Sequence, residues 1–444
     1  MNALRKAIAR LARAGRSRPA LRARPGGAWI PVGDLLRRAA ALRARLAALG
    51  VRRGDVVMAA IGARPEFFAT TVAVWESDAI FLPVDESAPA AEIASLRRTF
   101  RPAAILAFRE GRLRVERGST APLRYPGAAM IRLTSGTTGA PRGALVTPAQ
   151  VIADGLALLA ATGLRPGDAS VVAVPLGHAY GFSIAVMPLF LQGTPAILLE
   201  RALPSLVLRA LRSRRPALLS AVPYLVDLLA RQPGAGDRRE RLLACVSAGA
   251  PLPAKSAAAF RRRFGAPVWI LYGATEAGAI TFDREADSGG VEGRVGRPVQ
   301  GVRLTIDRRA RRLVVEGPAV ARGYVPGPSD DLDAGRFRTA DLAKIDEAGR
   351  VHLTGRLSSL VNVSGRKVNP REVELALLSL KEVDDAVALG VADALRGEML
   401  TAWVVARRGA NPESIRAALS TRLSGHKVPR AIRMIGRIPR TTRG

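Results

Sequence analysis

Several residue types are scarce in this chain of 444 residues. Cys245 is the only cysteine, which excludes an intrachain disulfide and a thiolate zinc cluster and is typical of a reducing compartment, so we expect a cytoplasmic protein. Apolar stretches are short and interrupted, and none reaches the roughly 20 residues of a membrane span. Aromatic residues make up only 5%, so the core must come mainly from alanine, leucine and valine.

Positively charged residues outnumber negatively charged ones in this chain. The net charge is +31, and only six of the 68 basic residues are lysine. The arginines are spread along the whole chain, and neither paired Cys/His zinc spacing nor an aromatic-rich RNA-binding strand occurs, so we do not expect nucleic-acid binding. The charge is instead typical of a solvated surface that suits an acidic or phosphorylated partner.

The order of apolar segments indicates the fold class. Apolar residues are 48% of the sequence, and the length predicts two or three domains. Asp34 is predicted to cap a helix in which Leu35, Ala39, Leu42 and Leu46 recur at helical spacing. Short apolar strands then alternate with helical segments, which favours an α/β fold of parallel sheets covered by helices. The predicted strands are 56–61, 79–84, 171–175, 196–199, 218–222, 244–247 and 268–271.

The alternation of strands and helical segments does not extend to the two ends of the chain. The segment 1–24 is rich in arginine and acid-free, and is predicted to be an N-terminal helix, with a transit peptide as the alternative. After Arg294 short alternating strands predict a small β-barrel-like subdomain. A last α+β unit follows, with a predicted helix from Pro370 to about Leu380. We therefore predict a large domain at 1–356 and a small, mobile one at 357–444.

A glycine-rich segment carries the strongest chemical signal. Its glycines let the backbone approach a polyphosphate closely, and successive N–H groups can form an anion-binding nest. Hydroxyl groups add donors, Arg142 adds charge, and the spacing is not that of a Walker A loop. The segment reads Leu133, Thr134, Ser135, Gly136, Thr137, Thr138, Gly139, Ala140, Pro141, Arg142 and Gly143.

This segment resembles the phosphate loop of the adenylate-forming superfamily, which includes acyl-CoA synthetases, peptide-synthetase adenylation domains and luciferases. The resemblance extends from about Trp29 to the end of the sequence. It implies binding of ATP and Mg²⁺, formation of an acyl-adenylate, and transfer of the acyl group to a thiol. The family loop usually carries lysine where Arg142 stands, and an arginine there still places a charge near the β- and γ-phosphates.

A second motif follows the predicted strand 268–271. It reads Tyr272, Gly273, Ala274, Thr275 and Glu276. Resemblance to the family implies that Tyr272 packs on adenine, that Thr275 contacts the α-phosphate or the acyl carboxylate, and that Glu276 binds Mg²⁺. A single carboxylate completed by phosphate oxygens is usual for that ion. Upstream, a turn that includes Gly249 and Ala250 resembles the family's adenine-binding turn.

Further family elements lie on both sides of the predicted boundary. Asp341, in Thr339-Ala340-Asp341, is implied to bind the ribose hydroxyls, and Arg356 to reach ribose and phosphate. The predicted hinge follows as Leu357, Ser358 and Ser359, where the small domain would rotate. Gly365 is implied to line the pantetheine tunnel.

His178 lies in a segment, Pro175 to Phe182, that resembles a family element beside the substrate carboxylate. The resemblance implies that His178 gates the thiol tunnel. Neither Asp nor Glu occurs between Ser170 and Leu199, which disfavours an amino-acid substrate and favours a neutral aryl or fatty acid.

The family motif P-x-T-x-x-G-K is present up to its glycine, Gly444, where the printed sequence ends. The lysine stabilises developing charge during adenylation, and loss of such a group costs roughly 3 kcal/mol. We expect that the sequence is a truncated form of an active enzyme. Three alternatives stay open: a carrier-protein rather than CoA ligase, a catalytically impaired nucleotide-binding homologue, and nucleic-acid binding, ranked last.

Overall fold

The computed structural model describes most of the chain. The described residues are 2–134, 141–212, 217–232, 241–285, 293–307, 311–333, 335–357, 361–363, 366–393, 397–407, 409–423 and 427–439. They form two compact units: Met1–Gly290 with Val295–Leu304 and Val315–Phe337, and Val291–Arg294 with Thr305–Val314 and Arg338–Gly444. No helix among the described residues is long and apolar enough to cross a membrane.

The helices are short to medium in length and are numbered along the chain. They are α1 (Ala3–Arg13), α2 (Val32–Ala48), α3 (Pro65–Glu76), α4 (Ala90–Phe100), α5 (Pro148–Thr162), α6 (Ala179–Gly181), a π-helix (Phe182–Val186), α7 (Met187–Gln192), α8 (Pro204–Leu211), α9 (Pro223–Ala230), α10 (Ala254–Phe264), α11 (Pro370–Leu378) and α12 (Pro412–Ser420).

The strands are numbered in the same way. They are β1 (Pro19–Arg22), β2 (Ile30–Pro31), β3 (Val56–Ala60), β4 (Ile80–Val84), β5 (Ala104–Arg109), β6 (Arg112–Arg117), β7 (Met130–Thr134), β8 (Arg142–Val146), β9 (Ala169–Val172), β10 (Ala196–Leu198), β11 (Ala217–Ala221), β12 (Leu242–Ser247), β13 (Val268–Ala274), β14 (Gly278–Asp283), β15 (Arg294–Pro298), β16 (Arg303–Ile306), β17 (Arg312–Glu316), β18 (Gly323–Val325), β19 (Leu332–Asp333), β20 (Arg336–Ile345), β21 (Val351–Arg356), β22 (Val361–Val363), β23 (Arg366–Val368), β24 (Val383–Asp393), β25 (Gly397–Ala406) and β26 (Ala431–Met434).

Two mixed sheets with parallel centres build the first unit. In one, β7, β4, β3 and β5 are parallel, and β8, β18 and β6 add antiparallel edges. In the other, β1, β10, β9, β11, β12 and β13 are parallel, while β14 turns back antiparallel to β13. Strands β4 and β11 are buried on both faces because helices cover them, so β4 is apolar throughout and β11 is apolar except for Ser220. The prediction of an α/β fold is confirmed.

The second unit contains a small α+β body. Strands β22 to β25 are antiparallel, and β26 joins β25 in parallel. Helices α11 and α12 pack on this sheet through Val373, Leu377, Ile415 and Leu419. The predicted small α+β domain is therefore present.

Two local predictions are corrected by the structure. No barrel closes among the described strands, because β15 extends the sheet edge beside β14, with Phe282 opposite Arg297. Helix α2 begins at Val32, so Asp34 lies in its first turn and pairs with Arg37 instead of capping it. The predicted apolar face of this helix is confirmed, since Leu35 and Leu46 are fully buried.

Candidate active site

Three predicted motifs follow the carboxyl ends of neighbouring parallel strands. The segment 175–182 follows β9, the turn at 247–252 follows β12, and the motif 272–276 ends β13. The carboxyl edge of a parallel sheet is where α/β proteins bind ligands, because loops from several strands converge there. A hydrogen bond joins the first of these segments to β12, as the Tyr180 hydroxyl donates to the carbonyl of Val246 at 2.7 Å.

The ends of the glycine-rich loop are held together by a strand pair. Thr134 ends β7 and lies opposite Arg142, which begins β8. The Thr134 hydroxyl donates to the Arg142 carbonyl at 3.3 Å. The loop itself, with Ser135, Gly136, Thr137, Thr138 and Gly139, lies outside the described residues. The antiparallel pair thus fixes where both ends of the loop emerge.

Tyr324 connects the glycine-rich loop with Glu276. Its hydroxyl donates to Oε1 of Glu276 at 2.7 Å, and the Arg142 guanidinium lies 4.5 Å above the centre of its ring. Strand β18 places Tyr324 beside β8, opposite Ala144. The backbone N–H of Ala321 also donates to the carbonyl of Glu276 at 2.7 Å. Arg142 and Glu276 therefore both contact Tyr324, although they belong to two motifs that are far apart in sequence.

The electrostatics of this cluster keep the tyrosine protonated. Burial, and then the neighbouring Glu276 carboxylate that accepts its hydrogen bond, raise the pKa of Tyr324 well above its usual value. Arg142 opposes part of that shift. Tyr324 is consequently a hydrogen-bond donor throughout the physiological range, and it holds one oxygen of Glu276 in a fixed place.

The turn that carries Thr275 and Glu276 is a tight hairpin between β13 and β14. Gly273 is required there, because a Cβ atom would lie against the carbonyl of Gly278. Tyr272, at the end of β13, is half-buried, as are Thr275 and Glu276. In the neighbouring turn Gly249 adopts a positive φ of 92°, and Ala250 follows it half-buried.

His178 lies beside a carboxylate that the sequence analysis missed. Its Nε2 is 3.9 Å from Oδ2 of Asp85, which directly follows β4. The segment 170–199 contains neither Asp nor Glu, and no sequence pattern connects this segment with residue 85. The His178 side chain is about half exposed, at 47%, so it faces an accessible region.

The second unit brings Asp341 and Arg356 together. They lie opposite each other on β20 and β21, and the Arg356 Nε is 3.1 Å from Oδ1 of Asp341. The hydroxyl of Thr339 accepts the N–H of Asp341 at 3.1 Å. Asp341 is largely covered, whereas Arg356 is exposed. Gly365 and the hinge serines Ser358 and Ser359 lie outside the described residues.

Glu276 fits Mg²⁺ only together with other oxygen ligands. Among the described residues no group of three or more His, Cys, Asp or Glu side chains could enclose a metal ion. Mg²⁺ usually binds one or two carboxylates and completes its octahedron with phosphate oxygens and water. The single carboxylate of Glu276, near Arg142, is consistent with a metal carried by a nucleotide.

Known proteins with a similar sequence are CoA ligases. A feruloyl-CoA synthase of an Amycolatopsis species is 30% identical, over 97% of this chain and 95% of the relative. A 2-succinylbenzoate–CoA ligase of Geobacillus kaustophilus is 31% identical, over 70% of this chain and 66% of the relative. These relatives confirm the prediction that the chain is an ATP-dependent acid–thiol ligase.

Solved structures and family models also match most of this chain. The ATP-bound MatB of Rhodopseudomonas palustris has a TM-score of 0.84 at 26% identity, covering 100% of this chain and 97% of MatB. The amide bond synthetase McbA of Marinactinospora thermotolerans has a TM-score of 0.83, also at 26% identity, covering 98% of this chain and 97% of McbA. Residues 8–126 and 126–325 match the AMP-binding enzymes, and residues 372–444 match the AMP-binding enzyme C-terminal domain. The chain therefore belongs to the AMP-binding enzyme family.

Proposed function

We propose that this enzyme condenses a carboxylic acid with ATP to an acyl-adenylate and then transfers the acyl group to the thiol of CoA. The observation that carries this proposal is the cluster of Arg142, Tyr324 and Glu276. It sets a cation at the end of a glycine-rich loop beside a carboxylate suited to Mg²⁺. Such a pair is suited to the phosphates of a bound nucleotide.

In the first half-reaction an oxygen of the substrate carboxylate attacks the α-phosphorus of ATP, and pyrophosphate leaves. Arg142 and the loop donors Thr134, Ser135, Gly136, Thr137, Thr138 and Gly139 hold the leaving phosphates, while Thr275 donates to the α-phosphate or the carboxylate. Glu276 would hold Mg²⁺, which when bound would neutralise charge on the phosphates. Catalysis of this kind depends on alignment and on preorganised charge.

Six further residues are assigned to the rest of the nucleotide. Tyr272 packs on the adenine, and Gly249 and Ala250 frame it with their backbone. Gly273 allows the turn to approach the nucleotide. Asp341 accepts hydrogen bonds from the ribose, supported by Arg356, which already pairs with it at 3.1 Å.

In the second half-reaction the thiol attacks the carbonyl carbon of the acyl-adenylate, and AMP leaves with the electron pair of the broken bond. We assign the gate of the thiol path to His178, and its wall to Gly365. The acceptor is CoA, and the second candidate is the phosphopantetheine of an acidic carrier protein. The net charge of +31 supports that candidate, because it would attract an acidic partner.

We propose an aromatic acid as the substrate, with a fatty acid as the alternative. The feruloyl-CoA synthase that aligns with 97% of this chain is named for an aromatic acid. The proposed domains are 1–356 for adenylation and 357–444 for the small domain. Because Cys245 is the only cysteine and is buried, we also propose a cytoplasmic location.

An ATP–pyrophosphate exchange screen over aryl and fatty acids tests the proposal. The screen uses the chain both as it stands and with one lysine appended after Gly444, since a cation placed at developing charge contributes about a hundredfold in rate. CoA and a holo-carrier are then compared as acceptors by thioester formation. Absence of exchange with every acid, despite the added lysine, would favour the catalytically impaired homologue.

A further inference from the structure

A fully buried carboxylate lies at the junction of the predicted motifs. Asp154, on α5, has no exposed surface. Its Oδ2 accepts the Arg132 Nη2 at 2.6 Å and the Ser183 hydroxyl at 2.6 Å, and its Oδ1 accepts the N–H of Ala279 at 2.9 Å. One side chain therefore joins β7, α5, the π-helix and β14.

Each of its three donors stands next to a different motif. Arg132 is two residues before Thr134, at the entrance of the glycine-rich loop. Ala279 is three residues after Glu276, and Ser183 directly follows the segment that contains His178. A shift of the Asp154 carboxylate would thus be transmitted to all three motifs.

We propose that Asp154 and Arg132 are positioning residues that set the glycine-rich loop, Glu276 and the His178 segment in register with one another. The inference rests on the proposed function. Neither residue is assigned a contact with substrate, so their effect on the reaction comes through the groups they hold.

The cost of this arrangement argues against a merely stabilising role. Arg132 is only 2% exposed, and its Nε and Nη1 have no hydrogen-bond partner among the described residues. Burying two charges costs several kcal/mol per ion, and well-packed apolar residues of similar volume are often equally stable or more so. A pair that is imperfectly satisfied contributes little net stability, but it restricts geometry.

The neighbouring backbone is adapted to this carboxylate. Gly278 has a positive φ of 66°, and a Cβ atom there would overlap the Asp154 carboxylate. Ser183 lies in the π-helix Phe182–Val186, and such single π-turns occur frequently at functional sites. The missing side chain of Gly278 leaves room for the Asp154 carboxylate beside the N–H of Ala279. The π-helix contains the Ser183 hydroxyl that donates to the same carboxylate.

The experiment compares two Asp–Arg ion pairs that each contain a buried aspartate; Arg132 is buried as well, whereas Arg124 is 46% exposed. The test variant combines Asp154→Asn with Arg132→Met. The control combines Asp55→Asn with Arg124→Met, because Asp55 is 1% exposed, pairs with Arg124 at 2.6 Å and belongs to no motif. Both variants are made in the full chain with one lysine appended after Gly444. The readouts are melting temperature, the exchange rate at saturating MgATP, and MgATP affinity by calorimetry.

The test variant should lose at least tenfold in exchange rate at saturating MgATP, while the control retains the parental rate. A test variant within threefold of the parent, or an equal loss in the control, overturns the inference. If the test variant fails to fold, Ser183→Ala decides: we expect a three- to fivefold lower rate at an unchanged melting temperature, and a parental rate overturns the inference.

The same experiment separates this inference from the proposed function. If the parent shows no exchange with any acid, the proposed function fails, and MgATP affinity then decides the inference. At least threefold weaker binding in the test variant alone supports it. Equal affinity in test variant and parent, or no MgATP binding by the parent, overturns it.

Discussion

At the scale of single residues, Tyr324 is the group on which the proposed phosphate site depends. Its ring carries the Arg142 guanidinium, and its hydroxyl holds Glu276. A cation over an aromatic face contributes about 0.5–2 kcal/mol, and a hydrogen bond to a charged group about 1.5–3 kcal/mol. The geometry of both charged groups is therefore coupled through one side chain.

Replacement of the hydroxyl tests this coupling. Tyr324→Phe should lower kcat/KM for MgATP about tenfold, since loss of one charged hydrogen bond of roughly 1.4 kcal/mol corresponds to that factor. Steady-state pyrophosphate exchange measures it, and Tyr125→Phe, a half-buried tyrosine outside every motif, is the control. Parental kinetics in Tyr324→Phe would show that Glu276 does not need this donor.

Asp341 supports a second prediction for a single residue. Asp341→Asn removes the charge that accepts ribose hydroxyls, so the KM for ATP should rise at least tenfold with a smaller change in kcat. The matched control is Asp346→Asn, because Asp346 is an acidic residue of the same hairpin that pairs with Arg350. The assignment of Asp341 is wrong if both variants keep the parental KM.

Resemblance to the family implied roles for Arg142, Glu276, Asp341 and Arg356, but it did not indicate the residues that connect them. Tyr324 stands 48 positions from Glu276, and Asp154 stands 125 from Ala279. Neither carries a local signal, because a buried aspartate in a helix looks like a solvated one in sequence. Contacts of this kind depend on the packing of the two sheets.

At the scale of elements, the β13–β14 hairpin shows how the turn of Glu276 is constrained. Gly278 and Gly265 both have a φ of 66°, but a Cβ meets the Asp154 carboxylate only at Gly278 and open space at Gly265. Comparison of the two positions separates backbone strain from steric overlap.

Gly265→Ala should cost about 1–2 kcal/mol in free energy of unfolding and leave exchange unchanged, because only the positive φ is disfavoured. Gly278→Ala should cost roughly 3 kcal/mol or more and also lower the exchange rate, because the turn must move away from Asp154. Urea unfolding and pyrophosphate exchange measure the two effects. Equal behaviour of the two variants would contradict the close packing of Gly278 on Asp154.

The pattern of apolar residues predicted helices and strands better than capping residues predicted where a helix begins. The apolar face of α2 and the buried strands β3, β4 and β11 agree with the predictions, because burial requires those patterns. The predicted start of α2 was wrong. The helix begins at Val32, directly after Pro31, so Asp34 lies within its first turn and not at the cap position. The prediction of a barrel-like subdomain was also wrong, because short alternating strands do not show which sheet edge they join.

At the scale of the whole molecule, the two sheets of the first unit supply the loops that carry Arg142, Glu276 and His178. The parallel strands β9, β11, β12 and β13 bring their carboxyl ends to one edge. The second sheet carries the glycine-rich loop at the end of β7. The alternation of apolar strands with helical segments predicted this class of fold, whereas the net charge of +31 concerns the attraction of anionic partners and not the fold itself.

Arg142 and Glu276 are proposed to act on the same triphosphate, and their contacts can be separated by measuring nucleotide affinities. Calorimetric titration of Arg142→Met and Glu276→Gln with MgATP and with AMP separates contacts to the β- and γ-phosphates from contacts to the nucleoside. We predict that each variant binds MgATP at least tenfold more weakly than the parent and binds AMP with parental affinity. Parental MgATP affinity in either variant, or an equal loss for AMP, would contradict the account.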